Sequence, residues 1–158
     1  MSKRAGLFGA PRKAWALGVG VALCGIGTFA GAQHDGDRHF TERSIAGAWS
    51  YVGSGGLLVP PAAPEPTPAA TVGIFKFDGN GACSAHGFVN VLGTTVETET
   101  LECHYSVGPD GFGEAAATFT NAPLDEPFPF RFVIGDGGRE LSIMNTEFVV
   151  GTLIAKRL

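Results

Sequence analysis

Three cysteines, two methionines, two tryptophans and two tyrosines are all that the chain holds of these residues, and 11 basic side chains stand against 15 acidic ones. Each scarcity removes a class of function. The cysteines form no C-x-x-C and have no cluster of further ligands around them, so neither a thiol redox centre nor a zinc site is expected. No G-x-S-x-G marks a hydrolase elbow, and no glycine-rich phosphate loop is present. No window repeats its apolar residues at helical spacing, which points away from helical bundles and from α/β architectures. No cofactor is implied.

The apolar run from Ala14 to Ala30 carries no charge and follows Lys3, Arg4, Arg12 and Lys13. That is the pattern of a secretory signal. Ala30, Gly31 and Ala32 put small residues where a signal peptidase reads, so residues 1–32 are expected to be removed. Glycines at 18, 20, 25 and 27 break the run, which is short for crossing roughly 30 Å of hydrocarbon as a stable anchor. Cys24 would suit a lipid-modified terminus, but Leu23 before it is bulkier than such sites favour. Secretion or a periplasmic location is the expectation, with no stable membrane insertion afterwards.

Removing residues 1–32 leaves seven basic against 15 acidic residues, a net charge of −8 with histidine neutral. Nucleic acid and anionic membranes are unsuited to such a surface. Residues 33–44 are polar and read as a flexible tail, and residues 45–158 are enough for one domain. Two cysteines survive cleavage, and an even count in an oxidising compartment reads as a disulfide between Cys83 and Cys103. A turn at Leu92, Gly93 and Thr94 pairs residues whose numbers sum to about 186, which sets these two opposite each other. Closing a loop of about 20 residues contributes on the order of 3 kcal/mol.

Beyond the tail, turn residues recur densely, as in a β meander. Strands are expected over 45–52, 71–77, 82–91, 95–107, 112–120, 130–134, 139–145 and 147–156. The connection 53–70 contains Pro60, Pro61, Pro64, Pro66 and Pro68 and is expected to be an exposed loop or lid. A weak repeat accompanies the strands: FKFDGNG at Phe75–Gly81, YSVGPDGFG at Tyr105–Gly113 and FVIGDGG at Phe132–Gly138. Each runs a strand into an Asp-Gly turn, where glycine meets the demand for positive φ. One aspartate per turn does not assemble a calcium loop. Consecutive hairpins leave two raw edges unless the sheet closes, so the fold class is all-β, an antiparallel up-and-down barrel of about eight strands.

Gly47, Ala48 and Trp49 form a G-x-W in the first strand, and Arg157 ends the last. In this motif and in strand count, residues 45–157 resemble the lipocalins and their calycin relatives. The chain is also similar to small exported bacterial proteins with repeated strand and Asp-Gly units. The calycin resemblance implies that a basic side chain, Lys156 or Arg157, packs over Trp49 and closes one barrel end. The chain departs from typical lipocalins in its shortness, in showing no C-terminal helix and in its proline-rich first connection.

Alternation groups Phe75 with Phe77, Phe130 with Phe132 and Ile134, and Leu141 with Ile143 on common strand faces. On the last strand either Phe148, Val150 and Ile154 or Val149, Leu153 and Ala155 face inward. Trp49, Phe75, Phe77, Phe130, Phe132, Leu141 and Ile143 are the candidate ligand-binding set, for a small apolar or amphipathic molecule. Eight strands can equally fill with side chains, which leaves a structural or surface-interaction protein as one alternative. A cyclase or isomerase acting on a lipid-like substrate is another, and its mark would be a buried ionisable group among Glu102, His104 and Arg131. His86 is not placed to pair with His104 for a metal, and His34 and His39 fall in the tail. No catalytic residue is assigned.

Overall fold

The computed structural model describes residues 39–158, so the signal segment, Cys24 and residues 33–38 of the expected tail lie outside the described residues. Nine strands follow one another: β1 (Gly47–Leu58), β2 (Thr67–Phe77), β3 (Cys83–Val91), β4 (Thr94–Val107), β5 (Phe112–Phe119), β6 (Phe128–Gly135), β7 (Glu140–Asn145), β8 (Val149–Val150) and β9 (Thr152–Arg157). Gly151 interrupts what is otherwise a single last strand, since β8 and β9 both pair antiparallel with β1. Because β1 also pairs with β2, the sheet closes into an eight-stranded antiparallel barrel with no free edge. No helix among the described residues is long and apolar enough to cross a membrane.

Strand alternation sets the interior, but two bulges reset it. In β1, Gly53 pairs with Thr71 and Gly56 with Ala69, so one extra residue intervenes. Inward positions change there from Trp49, Tyr51 and Gly53 to Gly56 and Leu58. In β4, Thr100 pairs with Phe119 and Glu102 with Thr118, leaving Leu101 bulged and exposed. The buried side chains change parity across it, from Thr98 to Cys103 and Tyr105.

The same bulge explains the hairpin register. Leu92 and Gly93 alone make the β3–β4 turn, both at positive φ, so Val91 pairs with Thr94 and the residue numbers sum to 185 rather than 186. Beyond Leu101 the sum becomes 186, at the isolated pair of Ala82 with His104. Between His86–Glu99 and that pair the ladder is interrupted. The Cys83–Cys103 disulfide bridges the gap, with a Cα–Cα distance of 5.0 Å, and the Ala85 N–H donates to Thr100 Oγ1 at 3.0 Å.

Two expected connections are shorter than read. The tail does not stay free to residue 44: the Phe40 N–H donates to the Pro109 carbonyl, Glu42–Ile45 form a turn of 3₁₀ helix, and Ile45 is fully buried. The apolar Phe40 and Ile45 seal the barrel end, which the polar residues around them masked. The proline-rich loop spans only the segment between β1 and β2, since β1 runs on to Leu58 and β2 starts at Thr67. Pro68 pairs with Leu57 of β1 and stands beyond the last β2–β3 pair, Ala69 with Val91, so it interrupts no pairing with β3.

The Asp-Gly units are turns, as their chemistry requires. Asp78 Oδ1 accepts from the N–H groups of Asn80 and Ala82, and Asp110 Oδ1 from that of Phe112. The Asp78 carboxyl is held below its ordinary range, first by its bond from Asn80.

Replacing Cys83 and Cys103 together by alanine removes the staple across the interrupted ladder. The expected loss is about 3 kcal/mol for this 20-residue separation, read as a lower urea midpoint with the barrel's circular dichroism kept at zero denaturant. An unchanged midpoint would show that the gap needs no covalent tie.

Candidate functional site

The barrel interior is divided along its axis. At the end bearing Phe40 and Arg157, Trp49, Ile45, Leu141 and Ala155 are fully buried, and Phe77, Tyr105, Phe132, Ile134 and Ile143 fill the space around them. Trp49 sits at the centre of this plug. Its Nε1–H donates to the Ile45 carbonyl at 2.8 Å, and the Arg157 guanidinium lies 4.8 Å from the ring centroid. Arg157 is held over the ring by donating to the Ser44 carbonyl and by pairing with Trp49 across β1 and β9.

Above the plug the inward residues become small. Gly73 and Gly87 pair directly across β2 and β3, and the Tyr51 phenol lies over both. A Cβ at Gly73 would come within 2.6 Å of the Tyr51 hydroxyl, and one at Gly87 within 2.5 Å. Glycine at both positions therefore makes room for Tyr51, which stacks tilted on Phe75 at 4.4 Å between ring centroids. These two rings form a floor.

Over this floor lies a half-open cavity of about 200 Å³. Val89, Val91, Val96, Phe130, Leu153 and Leu58 supply much of its apolar wall, and Ala122 and Pro123 of the β5–β6 loop reach its edge. Ala62 of the proline-rich turn packs with Phe128 and Phe148 beside the mouth. The Val59 N–H donates to the Phe148 carbonyl at 3.0 Å and ties that turn to the loop before β8. No Asp, Glu, Lys, Arg or His is among the described residues that line the cavity.

Its polar side chains include Ser54, Thr71, Asn121 and Thr152 besides Tyr51, Thr98 and Asn145. Thr98 Oγ1 donates to the Gly87 carbonyl at 3.5 Å. Burial raises the Tyr51 phenol above its ordinary value, against a smaller opposing effect of the neighbouring Thr71 side chain. Asn145, only 7% exposed, accepts at Oδ1 from the backbone N–H groups of Glu147, Phe148 and Val149 at 3.0, 2.6 and 3.0 Å.

Comparison with protein-family models, with curated proteins and with solved structures returns no match. The site therefore has to be understood from its own geometry. Of the seven residues grouped by alternation, Phe75 and Phe130 line the cavity, whereas Trp49, Phe77, Phe132, Leu141 and Ile143 belong to the packed plug. On the last strand Ala155 is buried and Val149 and Leu153 line the cavity, so the second of the two faces points inward. Tyr51, Thr98, Phe119 and Asn145 were missed. Tyr51 and Asn145 keep step with Trp49 and Ile143, which is the signal that would have found them.

The ionisable residues considered for catalysis stand outside. Glu102, His104 and Arg131 are all exposed on the outer wall, with Arg131 4.0 Å from Glu114. His86 is likewise external, 2.7 Å from Glu97, and is set opposite Glu99 rather than near His104.

Both tyrosines of the chain are buried, and desolvation raises Tyr105 as it does Tyr51. Folded protein therefore holds its phenolic protons to higher pH than unfolded protein. The stability this contributes is intact below about pH 10 and falls as pH rises through the folded values. An alkaline titration at 295 nm should show no phenolate midpoint near 10 while the fold persists. Ordinary ionisation of two phenols in folded protein would contradict a buried Tyr51 floor.

Proposed function

We propose that this protein is an exported, calycin-type barrel that binds a small apolar or amphipathic molecule in the hollow above Tyr51 and Phe75. One observation carries the reading: an apolar, half-open cavity with no charged group among its described lining residues lies above the packed plug of the barrel. Protein interiors are packed to crystal density, and empty apolar volume destabilises them. A hollow of this kind is the usual form of a small-molecule site. An apolar cavity of roughly 150 Å³ suffices for benzene, so the ligand is of the order of one ring with a short substituent.

Kinship with the calycins is supported by the closed end, where Trp49 lies under Arg157 as that superfamily's pattern implies. Export is supported by the disulfide, which persists in oxidising compartments. The acidic balance argues against nucleic acid as a partner. A lipid cyclase or isomerase would need an acid or base facing the cavity, and Glu102, His104 and Arg131 point the other way.

A surface-interaction role is the second reading, and one feature favours it. Val52, Val72 and Phe88 align in a row across β1, β2 and β3 on the outer wall, 56%, 54% and 45% exposed. The two readings separate on whether the interior takes a ligand.

Native mass spectrometry of protein purified without detergent, challenged with monocyclic aromatic compounds, is expected to show a one-to-one adduct. Val89→Trp fills the cavity from its wall and should abolish that adduct while keeping a cooperative thermal transition. Uptake that is absent from the wild type, or equal in the variant, would move the function from the interior to the outer surface.

A further inference from the structure

The antiparallel strand order sorts the connections of the barrel between its two ends. Residues 59–66, 92–93, 120–127 and 146–148 turn at the mouth, and the other connections turn at the plug. The four at the mouth carry Glu65, Asp125, Glu126 and Glu147 and not one Lys, Arg or His. All four carboxylates are exposed, and none forms an ion pair within the described residues. Basic side chains stand elsewhere: Arg43, Arg139 and Arg157 at the plug end, and Lys76, Arg131 and Lys156 on the outer wall.

The acidic connections are also those that border the cavity. Asn121, Ala122 and Pro123 line it from the loop of Asp125 and Glu126, and Ala62 packs beside it from the turn of Glu65. The Glu147 N–H is held by Asn145 in its wall. Asn121 is exposed and donates Nδ2 to the Glu97 carbonyl at 3.1 Å, so the other end of its amide is an acceptor.

We infer that the ligand of this cavity is a cationic amphiphile, with its apolar body in the hollow and a protonated amine held at the mouth among Glu65, Asp125, Glu126 and Glu147. The inference rests on the ligand-binding reading above and adds the sign of the ligand's charge to it. The ammonium group stays at the mouth because no charged residue lines the hollow to meet it, and an isolated buried charge is far costlier than a solvated one. A cleft bordered by one sign of charge concentrates ions of the other sign and speeds their entry. The same field repels a carboxylate amphiphile, and an uncharged one gains nothing from it.

Phenethylamine, phenethyl alcohol and hydrocinnamate share one phenethyl body and end, at neutral pH, in a cation, an uncharged hydroxyl and an anion. Their dissociation constants are measured by calorimetry on the wild type at low and at high salt. The same is done for a variant combining Glu65→Gln, Asp125→Asn, Glu126→Gln and Glu147→Gln. At low salt phenethylamine is expected to bind about tenfold more tightly than phenethyl alcohol, and hydrocinnamate more weakly than either. That margin should shrink to about twofold in high salt and in the variant, with the affinity for phenethyl alcohol unchanged. Equal binding of amine and alcohol at low salt overturns the inference and leaves the cavity reading standing, as does a preference for the amine that survives in the variant. Binding of none of the three overturns the cavity reading and the inference with it. Val89→Trp should abolish amine binding, and an amine still bound there sits on the outer acidic surface, which overturns the inference. Should the neutralised variant fail to fold, the salt series decides, since a preference for the amine that is insensitive to salt overturns the inference.

Discussion

Closure of the sheet at β1 is the constraint on which the rest depends. One strand has to satisfy two neighbours, and Trp49 is where this is most tightly enforced: it pairs with Phe75 on one side and Arg157 on the other. Its indole bonds to Ile45, which draws the segment before β1 under the barrel, and Arg157 covers the ring from the last strand. First and last elements of the domain thus meet on one side chain. A cation–π contact contributes roughly 0.5–2 kcal/mol, a modest amount beside the apolar burial it encloses.

With one end sealed, the order of side-chain sizes along each strand decides what the barrel contains. From Trp49 toward the open end, β1 offers Tyr51, Gly53 and Gly56; from Phe77, β2 offers Phe75, Gly73, Thr71 and Ala69. Large residues cluster at one level and small ones at the next. The cavity follows from this gradient, because strands held about 4.8 Å apart cannot draw together to fill the space that glycine and alanine leave. The bulges in β1 and β4 reinforce the pattern by bringing Leu58, Val96 and Thr98 to the interior where simple alternation would have turned them out.

What was legible in the sequence was local or nearly so. The Asp-Gly turns, the Cys83–Cys103 pairing and the inward faces of β2, β6 and β7 depend on a few neighbouring residues or on one hairpin. The seat of Arg157 on Trp49 was reached through family resemblance rather than through spacing. The extra residue at Leu101 was hidden because it leaves both halves of β4 alternating normally, and only pairing with β5 reveals the offset. The hairpin sum of 186 held at the disulfide and not near the turn for the same reason. Nor can strand alternation tell height along the axis, so Trp49, Phe77 and Phe132 of the plug looked equivalent to Phe75 and Phe130 of the cavity. Asn145 keeps step with Leu141 and Ile143, so its inward position was open to alternation, whereas its bonds to the loop after β7 were not.

Asn145 shapes the mouth of the cavity from the end of β7. Its oxygen organises the turn that carries Phe148 into contact with Phe128 and Ala62, and through the Phe148 carbonyl it anchors Val59 at the start of the proline-rich turn. The hollow it borders is lined mainly by apolar side chains, which an apolar occupant would pack against. Under the proposed reading a small apolar or amphipathic molecule is that occupant. Such an occupant would bind the folded barrel alone, so its free energy adds directly to stability in proportion to the logarithm of its concentration above Kd. Under the proposed reading, ligand occupancy and stability of the barrel are therefore linked without a moving domain.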